Sequence, residues 1–397
     1  MSSTLKILEA ADENGVLCTY DKDDNPRVIK AGQNPVKDLM GVFLPAGYPR
    51  SVREDYTAYQ VYDSLQAFSS TIAGLLSSRA VLQGFGIGDS GSSATTAVLF
   101  TVVQECTGRL ATILFAHRYG RAIEAECKFY RFFADIVNDS ALFLDILSPA
   151  LPTWPKVLAL CGAGMLRALC GVSGGAAKAS LSAHFAKNGN LAELNAKDGS
   201  QETVISLMGL LAGSLLLQFV HGKQAVMTWM IGLVTIHLWT NYKAVRAVRM
   251  RTLNKQRLCI IIDELVRSGR VPTHAEVADR ERILTWTCPK VTFASTYPKA
   301  KDIHGIDIYS FVGVEYLILR TKKGKVIYLK EHATSWDMVQ AWIEAYSGAR
   351  LDDHKALWKL LFDARWDIKT NALETGRAIR LLIGVKEEDG SHIDFKI

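Results

Sequence analysis

The sequence lacks the patterns that mark a disulfide framework or a zinc site. Its seven cysteines are an odd number, no two of them form a C-x-x-C pair, and no histidine stands at zinc-ligand spacing from them. Cysteines distributed in this way are typical of reduced, mostly buried thiols in an intracellular protein. We therefore predict neither a metal ion nor a cofactor.

The N-terminus lacks the features of a targeting peptide. Residues 1–15 carry Glu9, Asp12 and Glu13, and they show neither a basic amphipathic pattern nor a continuous apolar core. We therefore expect no signal or transit peptide. The sequence also shows no repeat at solenoid periods.

Two neighbouring stretches, residues 203–222 and 224–242, lack charged residues altogether and are separated only by Lys223. At ~1.5 Å of rise per residue, each is long enough to cross a hydrocarbon layer of ~30 Å as one helix. A basic run without acids follows, which is the charge bias of a cytoplasmic flank. Its residues are Lys243, Arg246, Arg249, Arg251, Lys255 and Arg257. The pattern predicts a transmembrane hairpin over 203–242 with both ends in the cytosol.

The alternative is a buried helical hairpin in the core of a soluble protein. Gln218, His221, Gln224 and Thr235 make the two runs less apolar than a typical membrane anchor. Small residues at Gly209 and Gly213 give the first run a G-x-x-x-G spacing, which lets another backbone approach closely. Packing within the chain and packing between protomers would both use that spacing.

The overall composition agrees with a partly membrane-associated protein. The chain has 397 residues, of which 49% are hydrophobic, and a formal charge of +6. Much of the basic excess lies in the C-terminal part, and its densest cluster adjoins the uncharged runs. This placement favours an anionic lipid surface as the partner and argues against a nucleic acid.

The pattern along the chain divides it into three parts. Residues 1–40 are polar, with a turn at 21–26 between short extended pieces, and form a soluble lead-in. Residues 41–258 show apolar helical spacing with Gly and Ser breaks; one helix ends in the glycines at 84–91, and the next begins near Ala94. Residues 259–397 read as a soluble α/β module. The predicted fold is therefore mainly α: a helical membrane-associated bundle followed by a small α/β domain.

Local signals define the C-terminal module. Residues 316–321 and 325–330 flank Gly324 and are rich in β-branched and aromatic residues, which predicts a β-hairpin. Thr334 and Asp337 form a capping box at the start of a helix, and Gly348 stands where that helix should end. A further helix is predicted over 357–364.

One candidate polar site lies in an otherwise apolar helix. Asp135, Asn138 and Asp139 project from one side of a helix built of phenylalanine, isoleucine and valine. Carboxylates inside a membrane-associated bundle must be paired or hydrated, so they are candidate ligand contacts. The alternatives are structural pairing with Arg131, Arg109 or Arg167, or a solvated face.

A second candidate site is the polar block before the first uncharged run. It contains Lys197, Asp198, Ser200, Gln201 and Glu202. Ser200 or Asp198 could cap a helix beginning there, and the N–H groups of the helix start together with Lys197 would attract an anion. The alternative is a capped turn at the membrane interface.

Two short motifs imitate those of hydrolases. Residues 171–175 match G-x-S-x-G around Ser173, and Asp352, Asp353 and His354 follow in the order of a catalytic triad. However, no strand precedes the motif, so a break in a helix is the better interpretation. Residues 88–91, G-D-S-G, lack the all-β context of a serine protease. We therefore predict that the chain is not an enzyme.

Several ordered segments resemble the ROOT UVB SENSITIVE (RUS) family. The resemblance covers roughly residues 40–290, and its hallmark is the run A-K-D-G-S-Q-E-T at 196–203. It also includes the segments 43–49 (F-L-P-A-G-Y-P), 59–68 (Y-Q-V-Y-D-S-L-Q-A-F), 107–116 (T-G-R-L-A-T-I-L-F-A), 133–139 (F-A-D-I-V-N-D) and 171–185.

The resemblance implies a eukaryotic, membrane-associated family whose members associate with one another. It also implies links in plants to UV-B and light responses, auxin distribution and vitamin B6 homeostasis, with no established catalytic mechanism. Plant members are often linked to plastids, an address that this N-terminus does not support. We therefore expect an intracellular membrane protein that handles a small anionic metabolite, by transport or ligand binding at the membrane. The alternative is a membrane adaptor whose C-terminal domain recruits a partner.

Overall fold

The protein is described by a computed structural model. It describes residues 9–12, 15–20, 26–28, 41–84, 94–187, 189–284, 291–296, 314–321, 324–348, 354–377 and 379–381. The motif at 88–91 and the acids Asp352 and Asp353 lie outside these residues. Within them the chain is mainly helical, with one small sheet near each end.

The N-terminal sheet contains three antiparallel strands. They are β1 (Glu9–Asp12), β2 (Gly15–Tyr20) and β3 (Pro26–Val28), in the order β1-β2-β3. This confirms the prediction of short extended pieces, although the turn between β2 and β3 lies outside the described residues.

Long helices follow and account for most of the chain. They are α1 (Tyr56–Gly84), α2 (Ala94–Ala125), α3 (Cys127–Leu147), α4 (Thr153–Phe185), α5 (Leu191–Phe219) and α6 (Lys223–Ala247). Helix α1 ends at Gly84, the first of the predicted glycines, and α2 begins at Ala94, as predicted. The two uncharged runs do form a pair of helices, but α5 begins twelve residues before the first run.

The chain divides into two compact units. The first contains the described residues up to 76 together with 181–240, and the second contains 77–180 and the described residues from 241 onward. The boundaries between the units fall within α1, α4 and α6.

In the first unit, α5 packs closely on α1 through its two spaced glycines. A Cβ atom added at Gly209 would lie 2.8 Å from the Thr71 Cβ and 3.2 Å from the Phe68 carbonyl oxygen, and one at Gly213 would lie 2.6 Å from Leu75 Cδ1. The G-x-x-x-G spacing therefore serves packing within the chain.

Replacing Gly209 with alanine is expected to destabilise the first unit by roughly 1–3 kcal/mol, because the new methyl group overpacks a contact that includes backbone. Gly199 on the same helix is a matched control, since a Cβ there has no atom within 4 Å. Gly199→Ala is expected to stabilise the protein by roughly 0.5–1 kcal/mol, as alanine does inside a helix. Thermal unfolding compares the two variants, and equal shifts would contradict the packing described.

In the second unit, glycines also mark helix crossings. A Cβ added at Gly164 of α4 would lie 2.5 Å from Gln104 Cγ on α2, and one at Gly174 would lie 3.3 Å from Ala134 Cβ on α3. These glycines let α4 lie close to both neighbours.

The C-terminal part has a small mixed sheet packed with helices. Its elements are α7 (Lys255–Ser268), α8 (His274–Arg280), β4 (Val291–Phe293), β5 (Tyr316–Thr321), β6 (Gly324–Lys330), α9 (Ser335–Ser347), α10 (His354–Asp363) and β7 (Arg380–Leu381). Strand β6 pairs antiparallel with β5 and parallel with β4 and β7. The predicted hairpin, the Thr334 capping box, the stop at Gly348 and the final helix are all confirmed.

The helices α4 and α5 are long and apolar enough to cross a membrane, by length and composition alone. Only 17% and 11% of the residues in their most apolar windows are buried within the protein. Helix α6, the second half of the predicted hairpin, does not reach the same mean hydropathy among the described residues, because it also carries His237, Thr240 and Asn241.

Candidate functional site

In the first unit, an exposed segment lies along α5 and is held by the side chains of the A-K-D-G-S-Q-E-T block. We call this segment, residues 41–53, the strap. Lys197 Nζ donates to the carbonyl oxygens of Gly41 at 2.6 Å and Val42 at 3.2 Å, and Gln201 Nε2 donates to the Phe43 oxygen at 2.6 Å. Two of the sequence-predicted ligand contacts therefore bind backbone of the same chain.

The middle and the far end of the strap are also held by backbone contacts. Glu193 Oε1 accepts from the Ala46 N–H at 2.6 Å, and Asn190 Nδ2 donates to the Ser51 oxygen at 3.1 Å. Val52 forms an antiparallel bridge with Ala186 at the end of α4. Glu193, Lys197 and Gln201 are four residues apart, so one face of α5 binds the strap.

The predicted helix start in this block is wrong. Residues 197–202 are the seventh to twelfth residues of α5, whose N-cap is Asn190. Their N–H groups are therefore not the four unpaired donors at a helix start, which are the basis of anion binding by a helix N-terminus. Ser200 is half-buried and Glu202 is exposed.

Asp198, next to Lys197 in the chain, joins two of the family-like segments. It is buried and accepts from Gln60 Nε2 on α1 at 2.7 Å. Helix α1 presents further buried polar residues on the same side: Tyr59 contacts Asp63 at 3.4 Å, and Gln66 contacts His237 Nε2 at 2.9 Å. The first unit therefore has a polar interior that hydropathy did not reveal, because these residues are scattered over three helices.

A buried acid–histidine pair lies where the strap meets α1. Asp55 Oδ2 is 2.9 Å from His184 Nε2, and both side chains are buried. Arg53 Nε donates to the His184 carbonyl oxygen. His184 is in the last turn of α4, where the negative end of the helix dipole favours a positive charge.

The other sequence-predicted cluster lies in the second unit on α3. Asp135 is buried, accepts from Arg131 Nη1 at 2.9 Å and also contacts Asn241 Nδ2. Asp139 is buried and Asn138 is half-buried. For Asp135 the structure therefore shows one of the alternatives, structural pairing with Arg131.

The two other arginines considered as partners pair elsewhere. Arg109 contacts Glu105 at 3.5 Å on the exposed face of α2. Arg167 contacts Asp145, which also accepts from Ser77 Oγ at 2.8 Å. The acids of α3 therefore use different partners along the helix.

The G-x-S-x-G motif lies inside α4. Ser173 is fully buried, and its hydroxyl donates to the Leu169 carbonyl oxygen at 2.6 Å. The helix is continuous from Thr153 through residues 171–175, so the predicted helix break is wrong. Among the residues that the structure describes, no group of three His, Cys, Asp or Glu side chains could hold a metal ion.

Comparison with known proteins identifies the family. Residues 30–269 match the family model described as "Vitamin B6 photo-protection and homoeostasis domain". Over 250 residues the chain is 38% identical to "RUS family member 1" of Dictyostelium discoideum. The chain belongs to the RUS family. This confirms the resemblance and its link to vitamin B6 homoeostasis.

Plant members of the RUS family match over a larger share of the chain. "Protein root UVB sensitive 3" of Arabidopsis thaliana is 29% identical over 332 residues, which are 79% of this chain and 75% of that protein. "Protein root UVB sensitive 2, chloroplastic" is 26% identical over 326 residues, 79% of this chain and 73% of that protein. The Dictyostelium match covers 62% of this chain and 47% of its relative. No solved structure matches the chain.

A buried ionic cluster that sequence reasoning missed connects the RUS domain to α8. Glu281, at the end of α8, binds Lys128 Nζ at 2.6 Å and Arg257 Nε at 2.8 Å, and all three side chains are buried. Asn254 caps α7 through its oxygen and donates to Glu126 Oε2 at 2.7 Å. The signal for this cluster in the sequence was the charged pair Glu126 and Lys128 next to a run of aromatic residues.

Three cations of the basic run that follows the uncharged stretches have partners within the protein. Arg257 is inside the protein, Arg246 donates to the carbonyl oxygens of Ala278 and Asp279, and Lys255 binds Thr375. These three cations therefore stabilise the C-terminal part. Lys243 and Arg249 are exposed.

The ionic cluster shifts pKa values in opposite directions. Burial raises the pKa of Glu126 to about 7 from an ordinary 4.5, against the opposing charge of Arg257. Burial alone would raise the pKa of Glu281 too, but Arg257 and Lys128 outweigh it and lower that pKa to about 2. Burial lowers the pKa of Lys128.

The wild-type protein is expected to lose stability as the pH rises from 4.5 to about 7, and Glu126→Gln is expected to remove that loss. In the folded state Glu126 keeps its proton up to about pH 7, whereas in the unfolded state it loses the proton near 4.5, so wild-type stability falls as the pH rises between these values. Glutamine is neutral throughout and can still accept from Asn254. Unfolding midpoints of both proteins across this window test the expectation. A difference between them that does not change with pH would contradict it.

Proposed function

We propose that this RUS-family chain is an intracellular integral membrane protein that acts in vitamin B6 or related metabolite homeostasis. It would do so by transport or by binding a small anionic metabolite at the membrane. The family link gives the metabolite class, because the phosphorylated forms of vitamin B6 are anions. In this proposal a bilayer with an anionic surface covers the apolar helices.

The observation that carries the membrane part is the exposure of α5. A core helix of a soluble protein is apolar and buried, whereas α5 is apolar and mostly unburied. Large apolar side chains cover its outer surface: Leu207, Met208, Leu211, Leu215 and Phe219. Contiguous exposed apolar surface of this kind requires a membrane or a protein partner. Helices α2, α4 and α6 also expose large apolar residues.

The proposed ligand contacts remain the two polar clusters. In the first unit they are Lys197, Asp198 and Gln201, with Ser200 and Glu202 beside them, and in the second they are Asp135, Asn138 and Asp139. Buried carboxylates among apolar helices are rarely retained without a function, which supports this assignment. Exposed Lys243 and Arg249 suit an anionic lipid surface.

Ligand binding and uptake test the assignment directly. Pyridoxine 5′-phosphate is a suitable probe, because it carries the phosphate but no aldehyde that would react with lysines. In reconstituted protein, Lys197→Ala and Asp139→Ala are expected to lower binding or uptake on the order of tenfold, as the loss of a charge-assisted hydrogen bond does. Lys223→Ala, at the exposed α5–α6 turn, is the matched control. Unchanged values in both variants would overturn these assignments.

A second candidate function is that of an adaptor. The C-terminal part has its own hydrophobic core, which includes Trp342, Leu361 and Trp366. Its helix α10 exposes Trp358 and Phe362, whose rings stack at 4.8 Å, and such an exposed aromatic pair suits a protein partner, including another RUS-family protein. Replacing both residues with serine discriminates between the functions. An adaptor would lose function while staying in the membrane, and a transporter would keep its uptake.

A further inference from the structure

In the part of the chain that the structure describes, the side-chain hydrogen bonds of Lys197 and Gln201 go to the strap. Among the described residues, the ammonium group of Lys197 contacts two carbonyl oxygens and no carboxylate. Gly41, Val42 and Phe43 have helical backbone, and the chain leaves the helix after them. Their carbonyls are therefore the unpaired acceptors of a helix end, and Lys197 and Gln201 cap them.

Residues 41–51 of the strap bury little apolar surface of their own, whereas Val52 near its end is 1% exposed. Between residues 41 and 51 only Pro45 is buried, and Val42 is 52% exposed. The hydrogen bonds that hold residues 41–51 to α5 join its side chains to the backbone of the strap, and each has a net contribution of ~0.5–1.5 kcal/mol. Segments with few buried apolar contacts and exposed hydrogen bonds open at low free-energy cost. Residues 41–51 have both properties.

An anion would compete well for the same donors. A phosphate group pairs with an ammonium ion through full charges, whereas the helix end offers only about half of one negative charge. Gln201 is one turn from Lys197, so both could reach one phosphate. Glu193 lies one turn on the other side and would repel an anion, which places the anion at the end of the face nearest Gln201.

We propose that the strap and an anionic phosphate ester compete for Lys197 and Gln201, so that the strap is a displaceable cover of the ligand site. The inference rests on the proposed function for the ligand class. With the strap docked, Lys197 and Gln201 cap the end of the helix at 41–43. With the strap displaced, the same two donors bind the phosphate.

A reversible cross-link tests this competition. Ala46→Cys and Glu193→Cys place thiols at either side of a 2.6 Å contact in the middle of the strap, where a short bis(thiosulfonate) reagent can join them through two reducible disulfides, each formed with release of a sulfinate. The full chain is studied in lipid nanodiscs with exposed Cys106 replaced by serine. Each protein is its own control, because the cross-linked and reduced forms have the same sequence. The measured quantity is the affinity for pyridoxine 5′-phosphate, with unphosphorylated pyridoxine for comparison.

The outcomes separate the inference from the proposed function. Competition predicts that cross-linking lowers the affinity for the phosphate ester on the order of tenfold or more and that reduction restores it. It also predicts that Asn190→Ala, which releases the far end of the strap, raises the affinity. Equal affinities in the cross-linked and reduced forms would overturn the inference and leave the proposed function intact. No binding in either form or in the unmodified chain would overturn both.

Discussion

Arg257→Met is expected to destabilise the protein by ~3–5 kcal/mol, because it removes one partner of a buried ionic cluster and leaves a carboxylate undercompensated. Arg257 is 1% exposed, and its guanidinium group binds Glu281 and Thr252. Methionine has a similar length, so the loss is chiefly electrostatic. Lys128 alone would then balance Glu281 in the interior.

An exposed ion pair in the same region is the matched control. Arg270 contacts Glu276 at 2.9 Å, but both side chains are exposed. Exposed pairs contribute ~0–1 kcal/mol, so Arg270→Met should have little effect. Denaturant unfolding of both variants measures the difference in the free energy of unfolding. Similar losses of unfolding free energy in the two variants would show that burial does not determine how much the cluster contributes to stability.

Leu211→Lys is expected to impair membrane integration of the chain by ~3 kcal/mol, the cost of a lysine in place of a leucine near the centre of a spanning helix. Leu211 is 66% exposed on α5. If water covered that face, the same substitution would change stability by about 0.5 kcal/mol at most, as surface substitutions usually do. The two environments therefore predict clearly different results.

Val266→Lys provides the control for the added charge. Val266 is 75% exposed on α7, outside the apolar helices, so a lysine there should be tolerated. The fraction of chain that resists alkaline extraction and the unfolding midpoint in nanodiscs are the two measurements. If Leu211→Lys behaves like Val266→Lys in both, α5 does not face lipid.

Local signals explain which elements could be predicted from the sequence. The capping box at Thr334, the left-handed glycine at 348 and the hairpin around Gly324 depend on residues a few positions apart, and the structure contains all of them. The uncharged runs likewise predicted helices. The sequence predicted a helix start near residue 203, where the charged residues end. The start was missed because the backbone is already helical from Leu191 and does not change where the hydropathy changes.

The contacts that make up the candidate site are nonlocal, which is why they could not be predicted. Lys197 binds a carbonyl 156 residues earlier, and Lys128 binds an acid 153 residues later. Nothing in the spacing of either lysine indicates its partner. The sequence could therefore indicate the polar block at 197–202 as special, but its contact with the strap required the tertiary structure. The ligand contacts proposed on Asp135 and Asp139 stay predictions.

The most direct test of the account is the depth of the α5 surface in a bilayer. A fluorescent label on a cysteine replacing Leu211, with the seven native cysteines removed, can be quenched by nitroxide groups on lipid acyl chains or by iodide in water. The account predicts strong quenching by the lipid nitroxides and little by iodide. Strong quenching by iodide with none from the lipid would contradict a membrane-spanning α5.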